Sequence, residues 1–121
     1  MADISIDRLL LNARTGTKAL IAAQEHLERL RKISKAVDSD DYRQKTEAAE
    51  RIMRDAIDLT YSTIVTALSK LAELPFDERL VMMDYYIIGY DWGDIAQRRN
   101  YSERTVFNIR NRALKRLRRD E

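Results

Sequence analysis

The chain has 121 residues and a mass of 14.2 kDa, the size of one domain or of a small domain with an appendage. Its 22 basic and 20 acidic side chains leave a formal charge of only +2, and three Gly, one Pro and no Cys leave little from which to build turns. That disfavours a multi-stranded β protein, whose hairpins need Gly, Asn-Gly or Pro at their corners, and it removes disulfides, thiolate metal sites and a cysteine nucleophile. Apolar runs reach about five residues, far below the roughly 20 that span a bilayer. Met1–Asn12 lacks the basic start and long apolar stretch of a secretory signal. A soluble, cytoplasmic, all-α protein is expected.

The first helix is expected over about Ile6–Ala36. Leu9, Ala13, Gly16, Leu20, Ala23, Leu27, Leu30, Ser34 and Val37 alternate at spacings of four and three, a heptad seam. Gly16 costs helix propensity, so a kink or break is expected near Thr15–Thr17. The acidic stretch Asp38-Ser39-Asp40-Asp41 reads as a solvated loop; it lacks the spaced ligands and the Gly of a calcium loop. A second helix, about Tyr42–Glu73, repeats the rhythm with Met53, Ile57, Thr60, Ile64, Ala67, Leu71 and Leu74, and Ile52, Ala56 and Leu59 are expected to widen its stripe. Two helices of this length joined by a short loop fold back antiparallel. The flank Tyr61, Val65, Leu68 and Ala72 is left to cover a second copy or the C-terminal domain. Self-association through residues 6–74, as a homodimer or higher homo-oligomer, is therefore expected.

Pro75 follows Leu74 and marks the boundary between residues 1–74, the hairpin, and residues 75–121. Beyond it a helix over Asp77–Ile88 offers Leu80, Val81, Met83, Tyr86 and Ile87 to a core, and Gly89 ends it in the left-handed conformation. Asp91 is placed to cap a short helix, Trp92–Arg99, with Trp92, Ile95 and Ala96 inward; Asn100 closes it as Gly89 closes the one before. Ser102 caps the last helix, residues 103–118, where Val106, Ile109, Ala113 and Leu117 define one buried face.

Charge is unevenly spread. Residues 98–121 hold nine basic and three acidic side chains, while the first 97 hold 13 and 17. A short helix, a tight turn and a longer basic helix have the geometry of a helix-turn-helix, whose second helix enters the DNA major groove. On its outer side Glu103, Arg104, Phe107, Asn108 and Asn111 are candidates for base contacts: Arg for guanine, Asn for adenine, Glu for cytosine, Phe for the thymine methyl. Arg98, Arg99, Ser102, Arg110, Arg112 and Lys115 are candidates for phosphates.

The stretch Leu74–Arg119 resembles region 4 of bacterial sigma factors. The resemblance rests on Leu74-Pro75 followed by an acidic/Arg cluster, Tyr86 with Gly89, Trp92-x-Asp94-Ile95-Ala96, Tyr101-Ser102-Glu103-Arg104-Thr105-Val106 and Arg112-Ala113-Leu114-x-x-Leu117. The chain departs from that pattern at Asn100, where Gly is usual, at Gly93, and at Asp84, near a position that is often apolar. A helical N-terminal part before such a domain is similar to small phage and prophage regulators of the ArpU/RinA/LtrC type. The resemblance implies double-stranded DNA as partner and control of transcription, of the late-gene kind, in a bacterial host cell; RNA polymerase is a second candidate partner.

Two other readings stay open: a polymerase-binding or other protein-interaction module, and a phage small terminase subunit, whose domain order would be reversed. No enzyme is expected. His26, the only histidine, falls outside the seam, and no phosphate loop, metal cluster or nucleophile–base pair is present, so neither metal nor cofactor is called for.

Overall fold

The computed structural model describes residues 5–119, and all regular structure among them is helical. Helix α1 (Ile6–Val37) starts at Ser5, whose Oγ accepts from the Arg8 N–H, and ends at Asp38, held in the left-handed region at φ 51°. Ser39 is extended, and α2 (Asp40–Leu71) begins at once, two residues before the sequence expectation, with Asp40 and Asp41 against its positive end. The acidic stretch is thus loop and first helical turn combined.

The two helices pack antiparallel along the expected seam. From Leu9 to Ser34 every seam residue of α1 is buried or half-buried, and only Val37 at the tip is exposed. The expected break near Thr15–Thr17 is absent, because α1 runs through Gly16 without interruption. Glycine serves a different purpose there: a Cβ at residue 16 would come within 2.6 Å of Thr60 Cγ2. The missing side chain lets the helices approach closely.

Ile52, Ala56 and Leu59 do not widen the buried stripe; all three are exposed, Ile52 at 72% and Leu59 at 73%. Each sits one position from a seam residue, rotated about 100° around the helix. A hairpin supplies one neighbour per helix, and that neighbour does not reach so far round.

Pro75 breaks the path after α2, and α3 (Phe76–Met83) follows. The helix expected to reach Ile88 changes character at Asp84 and closes with a π-helical turn, Asp84–Ile88. The Asp84 carbonyl accepts from the N–H of Gly89 (3.0 Å) and of Tyr90 (2.9 Å), and Gly89 reverses the chain at φ 100°. Helix α4 (Trp92–Arg99) ends at Asn100, φ 58°, and α5 (Glu103–Arg119) follows. Its cap is the expected one: Ser102 Oγ accepts from the Thr105 N–H at 3.1 Å.

Two apolar clusters hold the molecule. Val81, Ile95, Ala96, Val106 and Ile109 join α3, α4 and α5. The larger cluster takes Leu10 and Ala13 from α1, Ala67 and Leu71 from α2, Met82 from α3 and Ala113, Leu114 and Leu117 from α5. Val106, Ile109, Ala113 and Leu117 are buried as the spacing requires; Leu114 joins them because α1 covers it. Leu74–Phe76 is therefore a corner in the chain, while the core runs unbroken across it. Each fully buried leucine contributes about 1.5–3 kcal/mol.

Candidate nucleic-acid interface

Helix α4, Asn100 and α5 form the helix-turn-helix. Asn100 and Gly89 both take the left-handed conformation assigned to them. Asp91 occupies the N-cap position of α4 and its carbonyl accepts from Ile95, but its carboxylate turns elsewhere, accepting from Arg14 Nη2 of α1 at 3.0 Å.

With one face of α5 in the core, its opposite face is defined. Arg104, Asn108, Asn111 and Lys115, spaced by four, three and four, form one exposed stripe. Arg104 and Lys115 make no ion pair among the described residues. Asn111 Oδ1 accepts from Arg110 Nε and Nη2 at 3.2 and 3.0 Å. Glu103 stands at the edge of the stripe and leans over the start of α4, its Oε1 3.5 Å from where a Cβ on Gly93 would sit. Phe107 is half-buried and faces sideways, its ring 6.0 Å from that of Trp92. So Arg104, Asn108 and Asn111 come together on the open face, with Glu103 and Phe107 on its margin.

The candidate phosphate residues divide further. Lys115 is open, and Arg98 is exposed with its guanidinium 4.0 Å above the Tyr90 ring. Arg110 is half-buried over Phe107 and Trp92, at 5.1 and 5.6 Å. The Ser102 hydroxyl is engaged in its cap and with Thr105 Oγ1. Arg99 forms a bidentate pair with Asp84, Nε to Oδ2 at 2.8 Å and Nη2 to Oδ1 at 3.0 Å. Asp84 is only 3% exposed, and its hydrogen bonds hold the Arg99 pKa above the ordinary arginine value. Arg112 reaches Asp77 at 3.3 Å.

Two more tail arginines are also paired. Arg116 binds Glu78, itself 2% exposed, and Arg118 binds Asp7, whose carboxyl its hydrogen bonds hold below the ordinary carboxylate range. Four of the nine basic tail residues thus neutralise acids of α1, α3 and the π-helical turn. Part of the charge asymmetry is internal cement, and only part faces outward.

The residue that the spacing did not reveal is Arg14. It is 8% exposed and reaches from α1 into the bend before α4, donating Nη1 to the carbonyls of Tyr85 and Tyr90 and Nη2 to Asp91. Its guanidinium lies 3.8 Å above the Tyr85 ring, which stacks on Trp92 at 3.8 Å and 7°. Arg14, Tyr85 and Trp92 form a column ending against Phe107 and Arg110 of α5. Tyr86, edge-on to Tyr85 and Trp92, has its phenol pKa pushed up by burial. The aromatic group expected to pack the small domain therefore also joins it to the hairpin.

Among the described residues no group of His, Cys, Asp and Glu is placed to hold a metal ion, and no helix is long and apolar enough to cross a membrane. No curated protein and no solved structure matches the chain. The family model described as Sigma-70, region 4 matches residues 70–119, a span that takes in the last two residues of α2 and all of α3, α4 and α5. That segment is a sigma-region-4-like helix-turn-helix domain.

Proposed function

We propose that the protein is a sequence-specific DNA-binding transcription regulator that lays α5 in the major groove, of the phage late-gene activator kind its sequence resembles. The observation that carries the reading is the open stripe Arg104, Asn108, Asn111 and Lys115, on the face of α5 turned away from the core. An exposed Arg and two Asn suit guanine and adenine edges, and Glu103 and Phe107 reach neighbouring bases from the margin. Arg98, Arg110 and Lys115 are available to phosphates as they stand, and the Ser102 N-terminus adds backbone N–H donors. Arg99 and Arg112 reach phosphate with what their pairing to Asp84 and Asp77 leaves free. Residues 1–74 act as the association arm of a homodimer, and residues 75–121 as the reading domain.

Fluorescence anisotropy with selected duplexes tests this. Arg104→Ala or Asn108→Ala relaxes base preference, with about 1–3 kcal/mol of discrimination lost at one position. Lys115→Ala weakens all sequences alike and lowers the slope of log affinity against log salt by about one. Absence of binding at low salt overturns the proposal. RNA polymerase contact, in the manner of sigma region 4, is the second reading. It rests on the family match at residues 70–119, and capture of polymerase by a protein with no duplex preference would favour it.

A further inference from the structure

We infer that the hairpin flank turned away from the C-terminal domain docks a second copy of this chain, with α2 of one protomer against α1 of the other and both hairpins pointing the same way. This deepens the association arm proposed above by naming its face.

The C-terminal domain occupies one side of the hairpin, on Leu10 and Arg14 of α1 and Leu68 of α2. On α2 the positions Ile52, Ala56, Leu59 and Thr63 lie on the other side, spaced by four, three and four, forming a second heptad stripe one residue out of step with the buried seam. Ile52 and Leu59 are the most exposed large apolar side chains in the described chain. Thr63 donates its hydroxyl to the Leu59 carbonyl and Thr66 to Ser62, so both can be covered without losing a hydrogen bond.

The matching surface is on α1. Thr15, Ala19 and Ala22 repeat at four and three along the same side of the hairpin, small where α2 is large. The close approach of Gly16 to Thr60 sets those two residues level, so Ile52–Leu59 stand beside residues 17–24. Large and small stripes at one height are what a two-fold axis along the hairpin needs: each α2 meets the partner's α1 at the same level. Both helix-turn-helix units then lie at one end, where paired half-sites can be read.

Charge agrees with shape. The only charged side chains of residues 55–69 are Asp55 and Asp58, and the only one of residues 15–24 is Lys18. None of the three forms an ion pair within the described chain; Asp55 borders the α2 stripe, while the Lys18 side chain reaches toward Gly89 on the side of the C-terminal domain, so both stripes are themselves uncharged. The free face is also large enough. Over its whole length, about 30 residues at 1.5 Å rise on two helices roughly 10 Å apart, the face presents on the order of 900 Å², of which the uncharged stripes make up roughly 350 Å², against about 800 Å² per partner in a standard stable interface.

Sedimentation equilibrium at micromolar concentration reads the result. The wild type runs at twice the 14.2 kDa chain mass. The double variant Ile52→Lys/Leu59→Lys dissociates roughly a hundredfold or more readily. It keeps its helicity, since neither side chain contributes to the hairpin core, and its melting temperature no longer depends on protein concentration. Tyr61→Lys/Val65→Lys, on the other flank, stays dimeric. A monomeric wild type, a dimer that survives the first pair of changes, or one lost with the second pair overturns the proposal. For direction, Ser39→Cys places a single spin label at each tip of a chain that has no other cysteine. Tips within about 30 Å support the parallel pair, and a separation of roughly 55 Å, the antiparallel value, overturns it. Mass and tip distance are read without DNA, so failure of duplex recognition is seen separately.

Discussion

The two halves of the hairpin share one heptad rhythm and differ in what that rhythm achieves. Near the base the seam residues Ala13, Ala67 and Leu71, and Leu10 beside the seam, are completely buried, because α3 and α5 close over them. Toward the tip Leu27, Leu30 and Met53 hold the same seam positions and remain half-buried. Periodicity selects the partner face, but a third layer decides whether contact becomes core. A two-helix arm stands on a packed base, and its far half contributes less stability for each apolar residue it spends.

Breaking that contrast gives the largest effect. Leu71→Ala destabilises by about 3–4 kcal/mol and Leu27→Ala by about 1 kcal/mol, as read from urea unfolding of the full chain; equal losses would show the halves to be equivalent. Next is Arg14→Ala, which leaves the Tyr85 and Tyr90 carbonyls and Asp91 without their donor and costs about 2–3 kcal/mol. The same variant loosens the arm from the reading domain, which hydrogen exchange at Tyr85–Trp92 reports. Gly16→Ala sharpens the comparison between propensity and packing. Alanine gains about 1 kcal/mol of helix propensity, yet its methyl meets Thr60 at 2.6 Å. We expect a net loss of about 1 kcal/mol by thermal melting, and recovery in Gly16→Ala/Thr60→Ser.

The smallest effect is the pH dependence at Asp7. Arg118 depresses its folded-state pKa below the ordinary 3.8. The folded state therefore binds fewer protons, and the stabilisation is complete above about pH 4 and fades as pH falls through the depressed value. Both side chains are about half exposed, which limits the pair to about 0.5 kcal/mol. Asp7→Asn should match the wild type in acid and fall behind it near neutral pH.

Regular features were legible before the fold was known. The heptad seams, the break at Pro75, the reversals at Gly89 and Asn100 and the cap at Ser102 follow from local chemistry that one stretch of chain carries by itself. What was not legible depends on pairs far apart. Arg14 meets carbonyls more than 70 residues away, on backbone that leaves the α-helical path. Arg99, expected at phosphate, lies against Asp84, and the one clue was an acid at a position where the related pattern is apolar. The stripe through Arg104, Asn108 and Asn111 was readable because four buried positions oriented α5. The sideways turn of Phe107 was not, because Trp92 draws it over.

The column Arg14–Tyr85–Trp92, abutting Phe107, has a mechanical meaning. Rings and guanidinium stacked at 3.8 Å resist compression, and the hydrogen bonds of Arg14 resist shear. A sideways push on the far end of the arm is carried to α5 as a turning moment and is not absorbed at a loose joint. Were a partner to grip the hairpin, this column is the route by which it would act on the angle of the helix at the other end.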